Sequence, residues 1–231
     1  MKEDIRNESR RRYARAAASV LGAAALAGIA GPLGAAGAAG QGKLQATAPA
    51  RTLLVLGDSI SAEYGLARGS GWVALLEARL AERMPGWKVV NASISGETSS
   101  GGAARIASLL ERHRPEAVIV ELGGNDALRG LDLNATRTNL ERIVGASKQA
   151  GAKVLLLGMQ VPPNYGRAYT DAFAALFDDV SRSHQVPLVP FFLDGIAEDT
   201  SLFQSDRIHP NDQAQPRLLE NAWPALETLL G

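Results

Sequence analysis

From residue 51 onward the chain repeats one pattern five times: a short apolar run, a polar or glycine-rich break, then a longer amphipathic stretch. The apolar runs cover 52–56, 88–91, 117–122, 153–157 and 187–191. Several are rich in Val, Leu and Ile, the composition of strands covered on both faces. The amphipathic stretches cover 71–83, 102–113, 134–150, 169–184 and 211–230 and predict helices. Strands that alternate with helices require a parallel sheet joined by right-handed crossovers. The predicted fold is therefore α/β: a three-layer α/β/α sandwich on a five-stranded parallel sheet, flavodoxin-like in class. With no internal repeat and no second set of elements, 51–231 is expected to be one domain.

Residues 1–50 follow different rules. The formal net charge of zero hides an opposition, because the first fifty residues carry seven Lys/Arg against three Asp/Glu. Ser9-Arg10-Arg11-Arg12-Tyr13-Ala14-Arg15 is basic, and 16–39 is a run of Ala, Gly, Leu, Val and Ile. A basic region, an apolar region and a small-residue region make an export signal. Paired arginines followed by an aromatic resemble the twin-arginine variety. The run is long enough to span a bilayer, but its Ala and Gly content makes it weakly apolar. Cleavage near Ala36-Gly37-Ala38 would leave 39–50 as a flexible tail, with no stable membrane anchor.

Composition closes other routes. The chain has no Cys, which excludes disulfides, thiolate catalysis and Cys-based zinc sites. No cluster of His and carboxylates has metal-ligand spacing, so neither metal nor cofactor is expected. The remainder of the chain is mildly acidic, without the basic footprint of a nucleic-acid partner. A monomer is expected.

In open parallel sheets, ligands bind beyond the carboxyl ends of the strands. The segments there read Gly57-Asp58-Ser59-Ile60-Ser61, Ala92-Ser93-Ile94-Ser95-Gly96-Glu97-Thr98, Gly123-Gly124-Asn125-Asp126 and Gly158-Met159-Gln160-Val161-Pro162. A long loop after the fifth run ends at Asp206-Arg207-Ile208-His209-Pro210. Polar residues gather where the topology puts a site. Ser59 is the candidate nucleophile; a Ser at a strand-to-helix turn is also a favoured N-cap, and the two roles are compatible. No Gly-x-Ser-x-Gly elbow surrounds it. A hydroxyl needs a base, and the base an orienting partner. Of the three His, His113 and His184 fall near predicted helix ends, where a cation complements the dipole. Only His209 has an acid, Asp206, three residues upstream in a loop, although that segment also suits a helix start. Gly96 and Asn125 are candidate oxyanion donors, in sequences that serve equally well as turns.

Taken in order, four blocks resemble the SGNH hydrolases of the GDSL esterase group. They are Gly57-Asp58-Ser59-Ile60, Asn91-Ala92-Ser93-Ile94-Ser95-Gly96, Glu121-Leu122-Gly123-Gly124-Asn125-Asp126 and Asp206 to His209. More narrowly, the chain is similar to the bacterial periplasmic thioesterase/lysophospholipase type, over about 52–230. The resemblance implies Ser59 as nucleophile, His209 as base and Asp206 as its orienter. It implies an oxyanion hole from the Ser59 and Gly96 N–H groups and the Asn125 amide. It also implies an acyl-binding loop over 159–167, with Leu128, Met159 and Pro162 as wall residues. Arg207 departs from the narrower type, which often has Gly there. The reaction implied is hydrolysis of small-molecule carboxyl esters and acyl thioesters, including lysophospholipids, through an acyl-enzyme. Two other readings are open: a polysaccharide O-deacetylase on the same fold, and a secreted binding protein without turnover. Only Tyr64 and Tyr165 stand as aromatics near the site loops, which favours an acyl-chain site over a sugar platform.

Overall fold

The computed structural model describes residues 51–231; the export signal and tail expected over 1–50 lie outside the described residues. Five parallel strands form one sheet in the order β2-β1-β3-β4-β5. They are β1 (Arg51–Gly57), β2 (Trp87–Asn91), β3 (Ala117–Glu121), β4 (Lys153–Leu157) and β5 (Leu188–Val189). Between and after them lie α1 (Trp72–Arg83), α2 (Ser99–His113), α3 (Gly124–Leu128), α4 (Leu133–Gln149), α5 (Arg167–His184) and α6 (Gln215–Leu230).

The strand order reverses after β2, so β1 and β3 lie side by side and their carboxyl ends diverge into separate loops. α1 packs with α6, while α2, α4 and α5 pack in a row. Right-handed crossovers put these two groups on opposite faces of the sheet. Every residue of β3 is buried, as are Leu53 to Leu56 of β1 and Val154 to Leu157 of β4. The mostly apolar composition of the central strands, Val118 to Val120 above all, follows from being covered twice. At the edge, β2 is only half buried.

Three boundaries differ from expectation, each for a local reason. The strand expected over 187–191 contracts to two residues, because Pro187 and Pro190 have no N–H for a ladder. The helix expected from 102 begins at Ser99, where the Thr98 hydroxyl accepts from the Gly101 N–H. Gly102 inside that helix faces Leu122, just past β3, where a Cβ would stand, which lets α2 approach the sheet closely. The helix expected from 211 begins instead as a 3-10 turn over Asp212–Ala214, capped by the Asn211 side chain, before α6 proper. α3 lies inside a segment that reads as loop. The whole set of elements serves to align five loops at one end of the sheet.

Candidate active site

The first of these loops leaves β1 at Gly57. A Cβ there would stand 2.7 Å from Glu121 Oε2 and 2.8 Å from Ser61, so the position takes only glycine. Asp58 then folds back on itself: its Oδ1 accepts the Ile60 N–H at 3.0 Å, and its carbonyl accepts from Ala62. This tight turn presents Ser59, only 8% exposed, at the strand end.

The last loop arrives from the opposite end of the chain. His209 Nε2 lies 2.9 Å from Ser59 Oγ, and His209 Nδ1 lies 2.7 Å from Asp206 Oδ2. A carboxylate can only accept, so Nδ1 carries the proton and Nε2 faces Ser59 with its lone pair. Asp206 is fixed in turn, with Oδ1 accepting the N–H groups of Ile208 and His209 at 2.9 and 3.0 Å. Partial burial works to raise the Asp206 carboxyl, but these bonds and the His209 ring outweigh it and bring it down to about 2. It therefore stays ionised wherever a base is useful. Tyr64 covers the imidazole, with ring centroids 4.4 Å apart.

Two glutamines tie these distant segments together. Gln204 Nε2 donates to the carbonyls of Tyr64 at 2.8 Å and Pro210 at 3.4 Å, while its N–H donates to His209 O. Gln215 accepts the Trp72 N–H at 3.0 Å and donates to Asn211 O at 2.9 Å. Each bridges the Ser59 side and the His209 side of the site. Nothing in the local sequence marks either residue, because the partners they bridge to, Tyr64 and Trp72, are 140 and 143 positions away.

The candidate oxyanion donors divide. Asn125, at the start of α3, donates from Nδ2 to Asp58 Oδ2 at 2.9 Å, which orients its amide beside Ser59 and occupies one of its N–H groups. Gly96 has φ +77°, and its carbonyl accepts from Arg129 Nη2 at 2.9 Å. Its loop is pinned to the nucleophile turn where the Ile94 N–H donates to Gly57 O. Among the described residues, the N–H groups of Ser59 and Gly96 donate to no protein acceptor. Gly96 is not part of the pocket wall, whereas Ser59 and Asn125 are.

Behind the turn sit two buried carboxyls. Burial lifts Asp58 from 3.8 to about 6, against the pull of Ile60, His209, Asn125 and Ser59. Glu121 has no exposed surface. Burial and then the Asp58 charge push it well above the ordinary range, which favours the neutral acid. Its Oε2 accepts from the Asp58 N–H at 3.2 Å and from Ser61 Oγ at 2.8 Å, and Ser61 Oγ accepts from the Trp72 indole at 3.2 Å. Thus the end of β3 props up the turn at the end of β1.

A cavity of about 580 Å³ opens on Ser59 and His209. Leu128, Met159 and Pro162 line it, together with Val161, Phe191, Leu193, Phe203 and Ile208. Phe191, Leu193 and Phe203 are wall residues the sequence does not flag, since apolar residues in an irregular segment carry no periodic signal. The wall is largely hydrocarbon and includes the Ser59–His209 pair, the form of a ligand pocket with few polar anchors.

The comparisons fit this geometry. The sequence pattern of the GDSL-like lipase/acylhydrolase family matches residues 55–216. The chain is 51% identical to an esterase, TesA, of Pseudomonas aeruginosa, over 81% of this chain and 93% of that protein. It is 45% identical to a protein of Escherichia coli named thioesterase 1/protease 1/lysophospholipase L1, over 73% of this chain and 80% of that one. The crystal structure of a TesA superposes with a TM-score of 0.76 at 51% identity, covering 78% of this chain and 99% of the other. The chain belongs to the GDSL-like lipase/acylhydrolase family.

Proposed function

We propose that this protein hydrolyses carboxyl esters and acyl thioesters, lysophospholipids among them, through an acyl-enzyme on Ser59. The observation that carries the reading is the continuous chain of contacts from Asp206 through His209 to Ser59, at 2.7 and 2.9 Å, opening on a largely apolar cavity. His209 Nε2 takes the Ser59 proton as Oγ attacks the carbonyl carbon, and Asp206 stabilises the imidazolium that forms. The oxyanion is held by the Ser59 and Gly96 N–H groups and by the free N–H of the Asn125 amide. His209 then returns its proton to the departing alcohol or thiol. Water, deprotonated by the same imidazole, attacks the acyl-enzyme and restores Ser59. The acyl chain lies along Leu128, Met159 and Pro162. No step calls for a metal or cofactor.

The substrate range follows the relatives, named as an esterase and as a thioesterase and lysophospholipase. The same reading takes 1–50 as an export signal, so the enzyme works outside the cytoplasm as a monomer. Hydrolysis of p-nitrophenyl esters from acetyl to palmitoyl, alongside acyl-CoA, tests it. Turnover of medium or long chains that extends to acyl-CoA is the expected result. Turnover confined to acetyl esters contradicts it and points to a deacetylase.

A further inference from the structure

Residue 207 is marked out by its backbone and by its place on the cavity. Arg207 has φ +57°, a left-handed conformation natural to glycine and strained for a long side chain. It stands between Asp206 and His209, is solvent-exposed, and lines the largely apolar cavity. Strain retained at such a position asks for a use of the side chain. Among the described residues the guanidinium makes no ion pair and no hydrogen bond; only its backbone N–H is engaged, with Gln204 O at 2.9 Å. Arg129, next in sequence to the lining residue Leu128, is committed to Gly96 O.

We propose that Arg207 selects acyl esters that carry an anionic group, which its unpaired guanidinium meets at the cavity wall. The proposal rests on the ester-hydrolase reading and narrows its substrate class. An acyl ester can place a negative charge in reach in two ways: a phosphate on the alcohol or thiol portion, or a carboxylate at the far end of the acyl chain. A guanidinium suits both, because its planar fork matches either group in two-point contact. The cavity contains its own counterweight. Glu198 also lines it, is exposed, and pairs with no cation among the described residues. The two charges do not neutralise each other by contact, so each acts on the substrate by Coulomb's law and with opposite sign. Arg207 draws an anionic group in, and Glu198 weakens that preference.

Two matched substrate pairs test this. The first is 1-dodecanoyl-glycerol against its 3-phosphate; the second is p-nitrophenyl dodecanoate against the p-nitrophenyl monoester of dodecanedioic acid. The quantity read is the ratio of kcat/KM for the charged over the neutral member. In Arg207→Gln that ratio should fall about fivefold in at least one pair, through KM, as expected for one partly screened charge. In Glu198→Gln it should rise in the same pair, and raised salt should shrink both effects. The pair that responds identifies where the anion sits. Arg182→Gln, a charge change at the far end of α5, should leave the ratio alone. In parallel, titration of decyl phosphate and of decanol into the Ser59→Ala protein reads the same preference without turnover. An unchanged ratio in Arg207→Gln for both pairs, with unchanged binding of decyl phosphate relative to decanol, overturns the proposal. Equal loss in Arg207→Gln and Arg182→Gln also overturns it. Wild-type protein that binds decyl phosphate through Arg207 but cleaves none of the four esters contradicts the hydrolase reading instead.

Discussion

Asp58 offers the most quantitative consequence of this arrangement. Burial holds its carboxyl at about 6, against 3.8 for an exposed one, so the native state binds this proton more tightly than the unfolded chain does. The sign follows from linkage: the group favours folding fully below about pH 3.8 and loses that contribution as pH rises through about 6. At about 1.4 kcal/mol per tenfold change in proton affinity, the interval corresponds to about 3 kcal/mol. Asp58 is only 3% exposed, so solvent screening removes little of it. Asp58→Asn cannot titrate; its cost in the bonds to Ile60 and Asn125 does not vary with pH, and loss of the charge that helps raise Glu121 shifts the difference in the same direction. Because the unfolded group is already partly ionised at pH 4, the stability of the variant relative to wild type should improve by about 2 kcal/mol between pH 4 and pH 7. For a domain of this size that is a relative shift of about 4–8 °C in Tm. Urea unfolding followed by tryptophan fluorescence at half-unit pH intervals measures it. Two stability curves that run parallel from pH 4 to pH 7 would refute the claim that a buried, proton-hungry carboxyl underlies the nucleophile turn.

Three further predictions test the site. Asn125→Ala should lower kcat by about 10²–10³, the usual cost of one oxyanion donor, with KM little changed; steady-state kinetics on a p-nitrophenyl ester decides this. His209→Ala should lose essentially all turnover, while His113→Ala and His184→Ala stay near wild type; a dead His184→Ala enzyme would contradict the assignment of the base. Gly57→Ala forces a methyl to within 2.7 Å of Glu121 Oε2 and should destabilise the fold by roughly 1–3 kcal/mol. Because Glu121 supports the Asp58 N–H, kcat should fall with stability in that variant, as thermal melts and kinetics on the same preparation will show.

The parallel sheet was legible because its central strands are buried on both faces and so read as unbroken apolar runs, with Val118, Ile119 and Val120 of β3 as the plainest case. Ser59, Asp206 and His209 were legible because short motifs fix them locally and the topology predicts their end of the sheet. Other features were hidden for identifiable reasons. β5 shrank because two prolines withdraw their N–H groups from the ladder, something an apolar run of the right length does not reveal. α3 is a five-residue turn of helix entered from Gly123 at φ +112°, too short to carry a helical period. The Gln204 and Gln215 bridges, and the support of Asp58 by Glu121, join residues 63 to 143 positions apart. Such contacts exist only once the sheet has brought β1 and β3 together and returned the last loop to the first. The same holds for Phe191, Leu193 and Phe203 on the cavity wall.

The most direct test of the relay is covalent. Folded wild-type protein treated with a fluorophosphonate should gain one adduct by intact mass, located on Ser59 by peptide mapping. The rate should collapse in His209→Ala and the adduct vanish in Ser59→Ala. An adduct on another residue, or no reaction in protein shown to be folded, would contradict Ser59 as the nucleophile and with it the account of the site.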